Sequence, residues 1–150
     1  TKVLSLVPHT GMAVTNDIGN TKDIHPRNKL DVGKRLALWA LANTYDQKNL
    51  VYSGPLYQSL KVEGNKIRVF FNHVGSGLAS RDGKDLTSFE IADASANYLP
   101  AQAVIDGDSV LVWSDQIAAP ASVRFAWNQD AQPNLMNKEG LPASAFFALQ

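Results

Sequence analysis

The chain has 150 residues, 45% of them hydrophobic, which is the length of one ordinary domain or two small ones and enough apolar content to offset the entropy of ordering. Fourteen Lys and Arg stand against fourteen Asp and Glu, for zero formal net charge, which excludes a dominant basic footprint for nucleic acid. There is no cysteine, so disulfides, thiolate metal sites and cysteine nucleophiles are excluded, while the compartment stays open.

The opening segment, Thr1 to Pro8, has no initiator Met and no basic stretch ahead of a long apolar run. It reads as neither a signal peptide nor a membrane span, and no apolar run elsewhere approaches the ~18 residues a span needs. The chain reads as cut from the middle of a longer protein. Met12 to Ile18 is short and partly β-branched, which predicts a strand. Gly19 to Asn28 is a polar loop that holds Asp23-Ile24-His25-Pro26. From Leu30 to Tyr45 the spacing predicts a helix: Leu36, Ala37, Ala40 and Leu41 recur at helical intervals, with Lys34 and Arg35 on the other side. Asn28 followed by Asp31 resembles a capping box, which sets acceptors where free N–H groups need them. Leu38, Trp39 and Leu41 widen the apolar face and predict broad packing.

Beyond the polar stretch Asp46 to Asn49 the period changes to two. Ile67, Val69 and Phe71 alternate with Arg68, Phe70 and Asn72, and Val123, Phe125 and Trp127 alternate with Arg124, Ala126 and Asn128. Phe89 to Ala92 and Val110 to Trp113 are further short strands. Gly64-Asn65, Asp82-Gly83 and Asp106-Gly107 supply turns in which positive φ is cheap. Short strands with such turns predict an antiparallel β-sandwich with no second long helix. The stretch Asn134 to Pro142, rich in Asn, Gly and Pro, predicts an ordered loop that cannot continue a strand.

His25 is the strongest candidate for chemistry. It sits between a predicted strand and a helix, with Asp23 two residues before it. A carboxylate near an imidazole can hold one tautomer and stabilise the imidazolium during proton transfer. The plainer reading is that His25 supports the helix start. His73 beside Val74-Gly75-Ser76-Gly77 reads as a polar turn and His9 as a loop residue. Three dispersed histidines without an HExxH pattern point to no metal site. Tyr57, Tyr98, Trp113 and Trp127 could form a sugar-stacking platform. The alternation assigns Trp127 to the core and leaves Trp113 open.

GNTKDIHPRNKLDVGKRLALWALA resembles the C-terminal catalytic block of SGNH/GDSL-type hydrolases, in the sialate O-acetylesterase-like branch, and MAVTNDIGN resembles its last strand and loop. The likeness continues through SGPLY (Ser53 to Tyr57), FEIA (Phe89 to Ala92), VRFAW (Val123 to Trp127) and NLMNKEGLPASAF (Asn134 to Phe146). It implies an α+β chain: the end of an α/β SGNH domain over residues 1–48, with strand, His loop and helix, then an antiparallel β-sandwich domain over 49–150. It also implies that His25 is the general base of a serine esterase acting on O-acetylated carbohydrate, with no cofactor and no nucleic-acid or membrane partner. The wider family pattern places Asp three residues before His, where Lys22 stands. Asp23 from a shifted position, Asp17, or a Ser-His dyad are the alternatives.

The resemblance puts the nucleophile in a block ahead of this chain, on a missing N-terminal part of the same protein. Gly107-Asp108-Ser109 spells a familiar motif, but it follows His25 instead of preceding it and reads as a hairpin turn. The resemblance is compatible with a secreted or periplasmic setting. Two rivals stand beside the esterase reading: a non-catalytic carbohydrate-binding or scaffolding β module, and a chain that works only beside a separate N-terminal polypeptide.

Overall fold

The computed structural model describes residues 1–150 and places two helices ahead of ten strands. The helices are α1 (Lys2–Leu6) and α2 (Lys29–Asn43). The strands are β1 (Leu56–Glu63), β2 (Lys66–Asn72), β3 (Leu78–Ser80), β4 (Phe89–Ala92), β5 (Leu99–Pro100), β6 (Gln102–Asp106), β7 (Ser109–Trp113), β8 (Ser122–Phe125), β9 (Leu135–Asn137) and β10 (Phe146–Leu149).

Helix α2 starts where the capping residues put it. The Asn28 side-chain oxygen accepts from the Asp31 backbone N–H at 3.1 Å, and the Asn28 amide donates to the Asp31 carboxylate at 2.8 Å. The box therefore closes on the Asn28 side chain and not on its backbone N–H. The expected broad packing does not occur, since no residue of α2 is buried. Leu30 and Leu36 are 68% and 48% exposed.

The predicted strand over Met12 to Ile18 is a correction, because this segment forms no strand. Its β-branched residues suit extended backbone, but a strand needs a neighbour to complete its ladder. Side chains take that place. Arg35 donates to the Val14 carbonyl at 2.6 Å, and Asn16 donates to the Ala143 carbonyl at 3.0 Å.

From Ser53 onward, alternation governs. One sheet has the order β1-β2-β7-β6, a second the order β10-β8-β4-β5, and β3 pairs with β9 in a small ribbon. Every pairing is antiparallel. Ile67, Val69, Val110 and Val112 from the first sheet and Ile91, Val123 and Phe125 from the second are all fully buried in one shared cluster. Phe146 stacks on Phe125 and on Tyr57, with centroids 5.7 Å and 5.0 Å apart. Tyr57 thus packs at the core, and burial raises its phenol pKa. The tight turns fall where expected. Gly107 at φ +60° closes β6 onto β7, with Asp106 opposite Ser109.

Two aromatic and loop expectations need correction. Trp127 is 53% exposed and lies outside the core. Strand β8 ends at Phe125, and Ala126 takes φ +50°, while its N–H donates to the carbonyl of Ser88, itself at φ +66°. One left-handed residue reverses the phase of the alternation, so the next side chain leaves the core face. In the Asn134 to Pro142 stretch, Leu135–Asn137 does form a strand, paired with β3. Asn134 and Asn137 are buried, and side-chain bonds replace the turn roles their composition suggested. The Asn134 amide, then Ser80 and the Lys84 N–H, hold the Asp82 carboxyl down to about 2. The Asn137 amide donates to the Ser53 carbonyl at 3.0 Å. Gly54 next to it is a true close approach, because a Cβ there would collide with the carbonyl of Pro142.

Candidate functional site

His25 lies in the loop before α2 and is exposed. Its backbone is fixed by Asp23, whose carboxylate accepts from the His25 N–H at 2.8 Å in an Asx turn. The turn before it is built the same way, with the Asn20 side chain accepting from the Lys22 N–H at 2.9 Å. Asp23 is therefore brought to the main chain of His25, and no carboxylate pairs with the imidazole.

Asp17 is bound elsewhere. Both its oxygens accept from Arg35, at 2.6 Å and 2.7 Å, and the two side chains are only 8% and 11% exposed. This bidentate pair is the strong form of a carboxylate–guanidinium contact. Arg81 extends it by donating to the Asp17 carbonyl at 3.1 Å and to the Pro133 carbonyl at 3.3 Å. A latch therefore runs from α2 through the 12–18 segment to the sheets. It was not legible in the sequence, since Asp17 and Arg35 lie eighteen residues apart and nothing in their spacing pairs them.

A second junction is aromatic. Trp39 of α2 meets Tyr52 edge-on at 4.8 Å, and Tyr52 meets His73 at 5.1 Å. His73 is half-buried at φ +60°, directly after β2, and its burial lowers the imidazole pKa. Gly11 packs so closely on Trp39 that a Cβ would come within 2.8 Å of it. Together the latch and this cluster aim α2, and the His25 loop at its N-terminus, at a fixed place against the sheets.

Ser109 is buried at the start of β7. Its hydroxyl donates to the Asp106 carbonyl at 2.7 Å and accepts from Arg68 at 2.8 Å. It is held in its own hairpin and no imidazole reaches it, as its turn chemistry implied. No cluster of His, Asp and Glu is arranged to hold a metal ion, and no helix is long and apolar enough to cross a membrane.

No family model matches this chain. It is 31% identical over 130 residues to the sialate O-acetylesterase of Rattus norvegicus and 30% identical over 130 residues to that of Homo sapiens. Each match covers 81% of this chain and 24% of the relative. A crystal structure of a carbohydrate acetylesterase from Xanthomonas citri superposes with a TM-score of 0.93 at 46% identity, covering 98% of this chain and 34% of that one. The chain thus spans about a quarter of the length of the curated relatives and about a third of the solved one.

Proposed function

Because this chain is homologous to the sialate O-acetylesterases and to a carbohydrate acetylesterase along most of its length, we propose that it is the C-terminal part of a carbohydrate O-acetylesterase. In this reading residues 1–48 end an SGNH-type catalytic domain, and residues 49–150 are its β-sandwich accessory domain. The observation that carries the proposal is the likeness to the Xanthomonas enzyme, which covers 98% of this chain.

His25 is the general base. Its imidazole takes the proton from a serine hydroxyl as that oxygen attacks the acetyl carbonyl, then returns it to the leaving sugar alcohol. The serine and the oxyanion donors belong to a part of the enzyme that precedes this chain. Asp23 is a positioning residue in this scheme: its bond to the His25 N–H sets the loop, and the imidazole is free to turn toward the serine. The exposed Leu30 and Leu36 of α2 are the surface on which that preceding part packs.

The test is kinetic. In the parent enzyme His25→Ala should lower kcat for acetyl-ester cleavage by ~10⁴. Asp23→Asn keeps an oxygen acceptor for the loop and should cost far less. Unchanged kcat/KM in His25→Ala would remove His25 from the mechanism. This chain alone, lacking a positioned nucleophile and oxyanion hole, should show no turnover of a chromogenic acetyl ester. Turnover that vanishes in Ser109→Ala would return Ser109 to consideration.

A further inference from the structure

We propose that the outer face of the sheet β10-β8-β4-β5, with the polar cleft at its edge, binds a neutral polysaccharide chain. Phe147 and Trp127 are 43% and 53% exposed on that face, with ring centroids 5.8 Å apart. Tyr98, half-buried, lies 6.1 Å from Phe147. Its hydroxyl is anchored on Ser122 at 2.7 Å, and Arg124 lies over its ring at 4.1 Å. The charge of Arg124 is already answered by a bidentate contact with Glu90, at 2.8 Å and 2.9 Å. What the face presents is therefore two exposed aromatic rings, Trp127 and Phe147, with the half-buried Tyr98 beside Phe147 and no free charge among them. Exposed aromatics in a contiguous row mark a binding surface more than scattered apolar residues do.

The cleft next to the row supplies the complementary chemistry. It has a volume of about 290 Å³ and lies between the 15–21 segment and the 126–132 loop, with Asn16, Asn20, Asn128, Gln129 and Gln132 among its walls. No Lys, Arg, Asp or Glu lines it. Amides both donate and accept, which suits sugar hydroxyls, whereas a phosphate, a sialic acid carboxylate or an acidic peptide needs a cation that is not there. One wall carries a buried acceptor without a protein partner: Asn16 donates its amide to Ala143, but its Oδ1 is buried and bonds to nothing in the chain.

Row and cleft are parts of one surface. Trp127 stands between Ala126 and Asn128, which both line the cleft, and Phe147 follows the lining residue Ala145 by two positions. The outward turn of Trp127 depends on Ala126 at φ +50°, a costly conformation for a residue with a side chain. Stacking needs an apolar ring face, and the edge hydroxyls of a pyranose need amides beside it; both are present here. The other wall, Gly19 to Thr21, belongs to the loop that carries His25. The site itself does not depend on the esterase reading. Where that reading holds, it gives the polymer a track toward the catalytic loop and makes the backbone neutral, not sialylated.

The test is binding to this chain, without turnover. Cellohexaose and xylohexaose are titrated separately, followed by tryptophan fluorescence and by amide and side-chain NMR shifts, with sialyllactose as the anionic comparison. The expected result is saturable binding of at least one neutral hexasaccharide, with shifts at Trp127, Phe147 and the Asn16 and Gln132 side chains. Trp127→Ala should weaken it at least about ten-fold while the amide spectrum stays folded, and Trp127→Phe should retain most of it. Gln132→Ala should weaken binding without altering the row. The proposal is overturned by no saturable shift with either neutral hexasaccharide, or by tighter binding of sialyllactose. Concentration-dependent shifts of the same residues without sugar would also overturn it, since they assign the face to a second copy of this chain. An inactive His25→Ala parent that still binds through this face leaves the proposal standing, so the two readings fail separately.

Discussion

All 29 buried residues lie from Ser53 onward, and none lies in the first fifty. Yet the early region is not poor in apolar side chains: Val3, Leu6, Val7, Ile24, Leu30, Leu36 and Tyr45 are all exposed there. The two regions take their structure from different sources. Helix α2 can form from local signals, a cap and a run of good helix formers, whereas the strands exist only because distant segments pair and share a core. A helix of fifteen residues is marginal without packing. What holds α2 in place is then the Asp17–Arg35–Arg81 latch and the Trp39–Tyr52–His73 cluster.

The largest effect should come from the core of the later region. Phe125→Ala removes a fully buried ring and should cost about 3–5 kcal/mol in chemical denaturation. A loss as small as that of an exposed substitution would break the comparison at its stronger end. Next is the latch. Arg35→Met keeps much of the side-chain volume but leaves the Asp17 carboxylate nearly buried and unpaired, for a local cost of about 3 kcal/mol. The loss should appear as faster amide exchange in residues 12–43 with the sheet amides unchanged.

The contrast between prediction and structure follows the same division. Phe89 to Ala92 was legible as a strand because its alternation is short and bounded, and Ile67, Val69 and Phe71 because nothing interrupts their phase. Trp127 was misplaced because parity assumes extended backbone, and Ala126 breaks it with a single positive φ. Met12 to Ile18 was misread because β-branched residues report a local preference while a strand requires a partner. At the candidate site, the place of His25 in the loop before α2 was legible in the sequence. What the two nearby carboxylates do was not, since each is bound elsewhere than at the imidazole: Asp23 to a backbone N–H and Asp17 to a guanidinium.

Smaller effects probe the seam. His73 has a lowered pKa through burial, against an ordinary value of 6.5. As pH falls below about 6.5, the unfolded chain takes this proton before the native one does, so native stability drops until the native imidazole is also protonated. His73→Asn tolerates the same positive φ and does not titrate. The stability advantage of the unmodified chain over this variant should therefore shrink between about pH 7 and pH 5, measured by denaturation at each pH. A constant gap would show that His73 is not desolvated at this seam. The smallest effect is expected at Leu36→Ser, within about 0.5 kcal/mol in this chain, because Leu36 is 48% exposed. A larger loss by thermal melting would mean that α2 buries a face after all.

The unequal anchoring of the two regions is most directly tested by native-state hydrogen exchange on this chain, read residue by residue. The amides of β2, β7 and β8, whose side chains form the shared core, should exchange only through global unfolding. The amides of α2 should open locally at much lower free energy. Exchange of α2 with the same opening free energy as β2 and β7 in this chain alone would contradict the account.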